Sequence, residues 1–133
     1  MVVVAVNRRV TSATKTVADV MSTPLETIPE DATLQEAATA MRDDEISALV
    51  VSTNPPSIVT STDLVAAAAG GHDPTERHVS DVMTESVETV PPDLYLEEVA
   101  AMMTSFGIKH LPVSDGDDLV GMVSSTDVAA QLS

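Results

Sequence analysis

The chain has 133 residues, 44% of them hydrophobic, and a net charge of −15 from 21 acidic and six basic residues. This length and apolar fraction fit one ordinary domain with its own core. Because the sequence contains no cysteine, disulfides, thiolate metal sites and a cysteine nucleophile are excluded. The strong negative charge would repel phosphate backbones, so nucleic-acid binding is not expected.

Composition also indicates the protein's surroundings. Many acidic residues, scarce lysine and only one Phe and one Tyr are typical of haloarchaeal-type proteins made for concentrated salt, where screening removes self-repulsion. The alternative is an acidic mesophilic protein that works at ordinary salt concentration. No stretch approaches the eighteen or so apolar residues that would span a bilayer, so a soluble, cytoplasmic protein is expected. Residues 1–16, which include MVVVAV, are predicted to form an extra strand or an arm.

Two stretches of the sequence repeat one another. Residues 17–52 match residues 79–114 without gaps at a shift of 62, and residues 57–64 match residues 121–128 at a shift of 64. We therefore predict one repeat at 17–70, a linker at 71–78 and a second repeat at 79–133. Each repeat is too small to bury its apolar face alone. The two are expected to pack as a pseudo-two-fold pair, with function in the grooves between them.

Each repeat begins with a predicted short strand and a long helix. The short strands are residues 26–28 and 88–90, and each is followed by a proline that cannot continue a central strand. Apolar residues recur at i, i+3, i+4 and i+7 from Leu34 and again from Leu96, which predicts a helix from each.

Signals for the ends of these two long helices differ between the repeats. Thr33 and Glu36 form a capping box in the first repeat. Tyr95 replaces that threonine in the second, so Asp93 is considered as the cap there, and Gly107 is expected to end the helix in a left-handed turn.

A hairpin and a closing helix complete each repeat. Residues 48–51 are predicted to pair with 58–59, and residues 110–113 with 119–123, across turns of different length. The closing helices are predicted at residues 61–69 and 125–132. The pattern is therefore βαββα in each copy.

The most distinctive polar residues lie where the last strand meets the closing helix. Thr60 with Asp63, and Ser124 with Asp127, each match the pattern [ST]-x-x-[DE]. In one interpretation these residues only cap the helices. In the other, the same geometry binds a ligand, since a carboxylate accepts from sugar hydroxyls while hydroxyl and amide groups donate to phosphate oxygens.

No catalytic set of residues is found, so an enzyme is not predicted. His72, Asp73, Glu76 and His78 form a cluster of histidines and carboxylates. Solvated loop residues are one interpretation of this cluster and a metal site is the other. No phosphate-binding glycine loop or nucleophile motif is present.

The motifs taken together resemble a known family. The repeated DVM, the T-[IV]-P-x-D before each long helix, and the segments GIKHLPV and GMVSSTD look like a tandem pair of CBS domains, named after cystathionine β-synthase. The resemblance covers residues 17–132. It implies a Bateman module of the α/β (α+β) class, with two βαββα repeats and two ligand clefts.

The resemblance also implies a function. Such modules bind adenosyl ligands, namely AMP, ADP, ATP or S-adenosylmethionine, and regulate a separate partner protein rather than catalyse. They commonly assemble as homodimers through their helices. No cofactor is required. A dimerisation or scaffold module without a ligand is the alternative.

The family's binding positions are carried over residue by residue. The ribose-binding aspartate falls on Asp63 and Asp127, and the hydroxyl three residues earlier on Thr60 and Ser124. The basic phosphate contact falls on Lys109 and His110 in the second repeat but on Ser47 and Ala48 in the first. The adenine-facing positions are Thr27, Ile28, Thr89 and Val90.

The differences between the repeats predict two sites of unequal affinity, with phosphate attracted to the side of Lys109 and His110. A solvated lysine at a strand end is the alternative for Lys109. Ser57 also stands where the second repeat has Gly121.

Overall fold

The computed structural model describes residues 15–132, so the predicted arm lies outside the described residues except for Lys15 and Thr16. The fold is mixed α/β. Its elements in chain order are α1 (Val17–Val20), β1 (Thr27–Ile28), α2 (Leu34–Asp44), β2 (Ala48–Val51), β3 (Ser57–Thr60), α3 (Ser61–Ala69), a 3₁₀ turn (Val79–Asp81), α4 (Leu96–Phe106), β4 (His110–Asp115), β5 (Asp118–Ser124) and α5 (Ser125–Leu132).

The elements confirm the predicted fold class. Both long helices, both hairpins and both closing helices form, and the closing helices begin and end at the predicted residues. The strands β1, β2 and β3 make one sheet in that order, with β1 parallel to β2 and β2 antiparallel to β3. The strands β4 and β5 form an antiparallel pair.

The predicted strand at residues 88–90 is wrong in extent, because only a single parallel bridge from Val90 to Val113 forms there. In the first repeat, the Val50 N–H donates to the Glu26 carbonyl at 3.1 Å. The residue equivalent to Val50 is Pro112, which has no N–H to donate. The matching bond to Glu88 therefore cannot form, and the strand is lost.

The ends of the long helices follow local sequence in part. The capping box of Thr33 and Glu36 is present, with the Glu36 N–H donating to Thr33 Oγ1 at 3.1 Å. For α4 the N-cap is Tyr95, without a side-chain cap bond, so the suggested cap by Asp93 is not what begins this helix. Gly107 ends α4 in the left-handed region at φ 66°, as predicted, and Glu45 does the same after α2 at φ 56°.

The chain divides into two compact units whose bounds differ from those of the repeats. Unit 2 is Glu26–Val87, and unit 1 combines the described residues up to Leu25 with residues 88–132. We call residues 15–25 and 77–87 the leading segments. Each unit thus holds the long helix, the hairpin and the closing helix of one repeat and the leading segment of the other.

Equivalent hydrogen bonds attach the two leading segments. In unit 2, the Val79 N–H donates to the Ala32 carbonyl at 2.8 Å; in unit 1, the Val17 N–H donates to the Leu94 carbonyl at 2.9 Å. A bridge between Thr84 and Ile58 in unit 2 corresponds to one between Ser22 and Met122 in unit 1. Both leading segments are therefore bound by backbone bonds at the same places.

A valine from each leading segment lies in the core of its unit. Val17 and Val79 are both fully buried. The buried core of unit 1 consists of Val17, Val90, Leu96, Val99, Met103, Leu111, Val113, Val123 and Val128. That of unit 2 consists of Ile28, Ala32, Ala37, Met41, Leu49, Val51, Val59 and Val79. Since burial of a valine contributes about 1.5–3 kcal/mol, the leading segments are integral parts of these cores.

Close packing against a leading segment explains the glycine at position 121. A Cβ atom there would lie 2.8 Å from the Ser22 carbonyl oxygen and 2.9 Å from Met21 Sδ. In unit 2 the equivalent residue, Ser57, is buried and its hydroxyl lies 2.6 Å from Thr53 Oγ1. The hydroxyl of Ser57 can be buried because it has this partner within its own hairpin.

Candidate functional site

The strand-to-helix junction of unit 2 is a closed capping box. The Thr60 N–H donates to Asp63 Oδ2 at 2.9 Å, the Thr60 hydroxyl donates to the same oxygen at 3.1 Å, and the Asp63 N–H donates back to Thr60 Oγ1 at 3.3 Å. The hydrogen bonds expected from helix capping are therefore present between Asp63 and Thr60. Both bonds to the carboxylate end on Oδ2, so Oδ1 can accept further hydrogen bonds from a ligand.

The equivalent junction of unit 1 uses a different set of bonds. The Asp127 N–H donates to Ser124 Oγ at 3.1 Å, so the serine hydroxyl caps α5. The backbone is held in the same way in both units: the Ser125 N–H donates to the Lys109 carbonyl at 2.8 Å, and the Ser61 N–H donates to the Ser47 carbonyl at 2.9 Å. These bonds place the residue before β4 beside the start of α5, and the residue before β2 beside the start of α3.

His110 is part of the unit 1 junction. It lies directly opposite Ser124 in the β4–β5 ladder, where facing residues have their Cβ atoms about 4.5–5.5 Å apart. Burial lowers the pKa of His110, and the negative charge of Asp127 opposes this while the positive charge of Lys109 adds to it. The net pKa lies below the ordinary value, so the imidazole is mostly neutral at pH 7. Lys109 itself is exposed.

The same positions in unit 2 carry no basic side chain. Ala48 lies opposite Thr60 in the β2–β3 ladder and is buried, and the residue before it is the exposed Ser47. The four predicted residues Lys109, His110, Ser124 and Asp127 thus come together in unit 1, but only Thr60 and Asp63 do so at the junction of unit 2.

The predicted adenine-facing residues of unit 2 lie on β1, which pairs with β2 on the side away from β3 and the junction. Those of unit 1 lie at the equivalent positions. Thr27 is exposed on β1 and pairs with Val50, while Thr89 is half-buried. Ile28 and Val90 are core side chains. Any ligand contact at Ile28 or Val90 would therefore use backbone atoms.

The histidine and carboxylate cluster is made of local turn contacts. Asp73 Oδ1 accepts from the Thr75 N–H at 2.9 Å and from its hydroxyl at 2.7 Å, which lowers the pKa of Asp73. The His78 N–H donates to Asp81 Oδ2 at 2.8 Å. Across residues 15–132, no three His or carboxylate side chains are grouped closely enough to hold a metal ion. None of the helices in the same range is long and apolar enough to cross a membrane.

Sequence reasoning missed the pairing of His110 with Ser124 and of Ala48 with Thr60. Counting residues back from each hairpin turn could have found the second pair. The same counting fails for His110 and Ser124, because the β4–β5 register is irregular between Val113 and Ser114. A bulge adds a residue to one strand only, so residues counted from the turn no longer match.

Comparison with known proteins identifies the family. The model of the CBS domain matches residues 17–70 and again residues 79–133. The chain belongs to the CBS domain family. Its two matches make it a tandem CBS pair, and the exchange of leading segments means that neither CBS repeat coincides with one compact unit.

Similar CBS proteins include both a curated relative and solved structures. The CBS domain-containing protein YhcV of Bacillus subtilis is 31% identical over 116 residues, which cover 85% of this chain and 82% of that protein. A hexameric CBS-CP12 protein from bloom-forming cyanobacteria has a TM-score of 0.84 at 31% identity, covering 88% of this chain and 71% of that one.

A third similar structure contains ligands. It is a CBS domain pair in complex with 5′-methylthioadenosine and S-adenosylmethionine. It has a TM-score of 0.77 at 27% identity, and the match covers 89% of this chain and 95% of that one.

Proposed function

We propose that this CBS pair is a regulatory module that binds an adenosyl ligand at its strand-to-helix junctions and signals to a separate partner protein. The observation that carries the proposal is an aspartate at both junctions whose N–H donates to a hydroxyl three residues earlier, Asp63 to Thr60 and Asp127 to Ser124. A similar CBS pair holding two adenosyl compounds supports it. We further propose that the chain works in the cytoplasm of a cell adapted to concentrated salt, as its charge of −15 suggests.

The junctions offer the groups that an adenosyl ligand needs. Ribose hydroxyls would donate to Asp63 Oδ1 in unit 2 and to the Asp127 carboxylate in unit 1, and bonds to a charged acceptor contribute about 1.5–3 kcal/mol each. Unit 1 adds Lys109 and His110 beside Ser124. A phosphate group would therefore be bound mainly at unit 1.

The role proposed is regulatory rather than catalytic. A side chain that binds ribose and a lysine that neutralises phosphate select a ligand, but they activate no nucleophile. Binding would instead change the population of states that a partner recognises, which requires only different affinity for the ligand in the two states.

The binding proposal predicts saturable heat in titration calorimetry of the chain with AMP, ATP and S-adenosylmethionine in molar KCl. The control ligand is uridine monophosphate, which has the ribose and phosphate but not the adenine. Ligands that bind the folded state must also raise its melting temperature. Absence of both heat and thermal shift for all three adenosyl ligands would contradict the proposal.

A scaffold role is the second candidate, and exposed apolar side chains favour it. Val65 on α3 is 68% exposed and Phe106 at the end of α4 is 66% exposed, with Leu132 on α5 also exposed. Large apolar side chains left in water are typical of surfaces that associate. We propose a homodimer formed through helix faces, in either role.

The dimer proposal predicts a mass of about twice 13.9 kDa by light scattering at high salt, because closed two-fold pairs are the commonest assembly. Val65→Asp should shift the mass towards the monomer, since it would place a charge in the contact. A monomer of the unaltered chain at tens of micromolar protein would contradict the dimer. A larger assembly, as in the hexameric CBS-CP12 protein, would replace it.

A further inference from the structure

The acidic residues are unevenly divided between the compact units. Unit 2 contains twelve of the 21 acidic residues and only two of the six basic residues. The described part of unit 1 contains nine acidic and two basic residues, Lys15 and Lys109, and Lys109 lies at its junction. Unit 2 is therefore the more negative environment for a charged ligand.

Neither arginine side chain of unit 2 forms a hydrogen bond or ion pair with Thr60 or Asp63 at its junction. Arg42 Nε forms an ion pair with Asp43 Oδ1 at 3.0 Å. The Arg77 carbonyl accepts from the Leu34 N–H at the start of α2, whereas Ser47 follows the other end of that helix. Eleven helical residues span about 16 Å, so Arg77 is attached far from the junction.

The residues that face the capping hydroxyls make the contrast local. Ala48 lies opposite Thr60 in unit 2, where His110 lies opposite Ser124 in unit 1. The residue whose carbonyl holds the start of the closing helix is Ser47 in unit 2 and Lys109 in unit 1. A phosphate beside Thr60 would therefore meet the Asp63 carboxylate without a basic side chain from either position.

We infer that the unit 2 junction selects adenosyl ligands whose 5′ group is positively charged or neutral, such as a sulfonium or thioether, and discriminates against phosphate. The unit 1 junction then takes the phosphorylated class. This inference rests on the proposed function and adds which charge each site accepts. A positive 5′ group is attracted by the Asp63 carboxylate and by the net charge of the unit, and a phosphate is repelled by both.

The test is calorimetry on the full chain carrying Asp127→Asn, which weakens the unit 1 site so that unit 2 dominates. Its titration with S-adenosylmethionine and AMP should give at least tenfold tighter binding of S-adenosylmethionine. Adding Ser47→Lys should reduce that preference by about tenfold, because one charge within a few ångströms changes binding by that order. Position 47 is exposed, so a lysine side chain can extend into solvent there, and thermal unfolding of the variant checks that it is folded.

Ser80→Lys is the matched control, because it adds the same charge at an exposed position of unit 2. The Ser80 N–H donates to the Glu30 carbonyl, which places it near the far end of α2, and its effect should be small. The preference should also weaken as KCl is raised from the lowest salt that keeps the chain folded, since salt screens charge.

The outcomes separate this inference from the proposed function. Equal binding of AMP and S-adenosylmethionine at unit 2, or the same effect of Ser47→Lys and Ser80→Lys, would overturn the charge selectivity while leaving an adenosyl sensor. If neither ligand binds the unaltered chain, both the function and the selectivity are wrong.

Discussion

Val79→Asp is expected to unfold unit 2. Val79 is fully buried in the core of that unit although it comes from the leading segment of the second repeat. The substitution removes about 1.5–3 kcal/mol of apolar burial and places an unpaired carboxylate in the core, for a total above about 4 kcal/mol. Typical domains are stable by only about 5–15 kcal/mol. Circular dichroism during urea unfolding should show a reduced native signal in the absence of urea and a lower urea midpoint for what remains folded.

Ser80→Asp is the matched control for this effect. Ser80 is the next residue of the same leading segment, and its side chain is exposed. The same charge there should change the free energy of unfolding by about 0.5 kcal/mol or less. In unit 1, Val17→Asp and the exposed Ala18→Asp form the equivalent pair. A normal transition in Val79→Asp would show that the leading segment is not part of this core.

Asp127→Asn is expected to weaken binding of adenosyl ligands by about 1.5–3 kcal/mol, or roughly tenfold to more than a hundredfold. The amide that replaces one carboxylate oxygen is neutral and cannot accept from ribose hydroxyls as the carboxylate does. The cap of α5 should survive, because the Ser124 hydroxyl accepts the Asp127 N–H at 3.1 Å and neither group is changed. Calorimetry with AMP would measure the affinity, and thermal unfolding without ligand would measure stability.

Asp63→Asn is the comparison that separates capping from binding. The Asp63 carboxylate accepts from the Thr60 N–H and hydroxyl, so its replacement should lower stability by about 1 kcal/mol as well as weaken binding. Asp127→Asn should therefore affect binding more than stability, and Asp63→Asn should affect both. If both variants keep full affinity for every adenosyl ligand that the unaltered chain binds, neither carboxylate contributes to binding, and the ligand does not bind at these junctions as proposed.

Local sequence was sufficient for most of the secondary structure. The closing helices begin where Thr60 and Ser124 can cap them, α4 ends at Gly107, and α2 begins at the capping box of Thr33. These features depend on residues within four positions of one another, so their signals are visible in the chain. The same locality allowed the aspartates and hydroxyls of the candidate site to be found from sequence.

Contacts between distant residues were decided only by tertiary structure. The shift of 62 between repeats placed each leading segment in its own repeat, yet Val17 lies in the core with Leu96, and Val79 with Ala32. A repeat pattern shows which residues are equivalent but not which copy they pack against, because both copies offer the same apolar partners.

The local environment of the candidate site was also decided by contacts between residues that are distant in the sequence. The strand at residues 88–90 was lost because Pro112, more than twenty residues away, has no N–H to pair with it. The position of His110 opposite Ser124 depends on a strand register with an irregularity after Val113. The charged and hydroxyl groups of the candidate site were therefore predictable from the sequence. Which of them face one another across the strands was not, because a bulge in one strand changes the register of both.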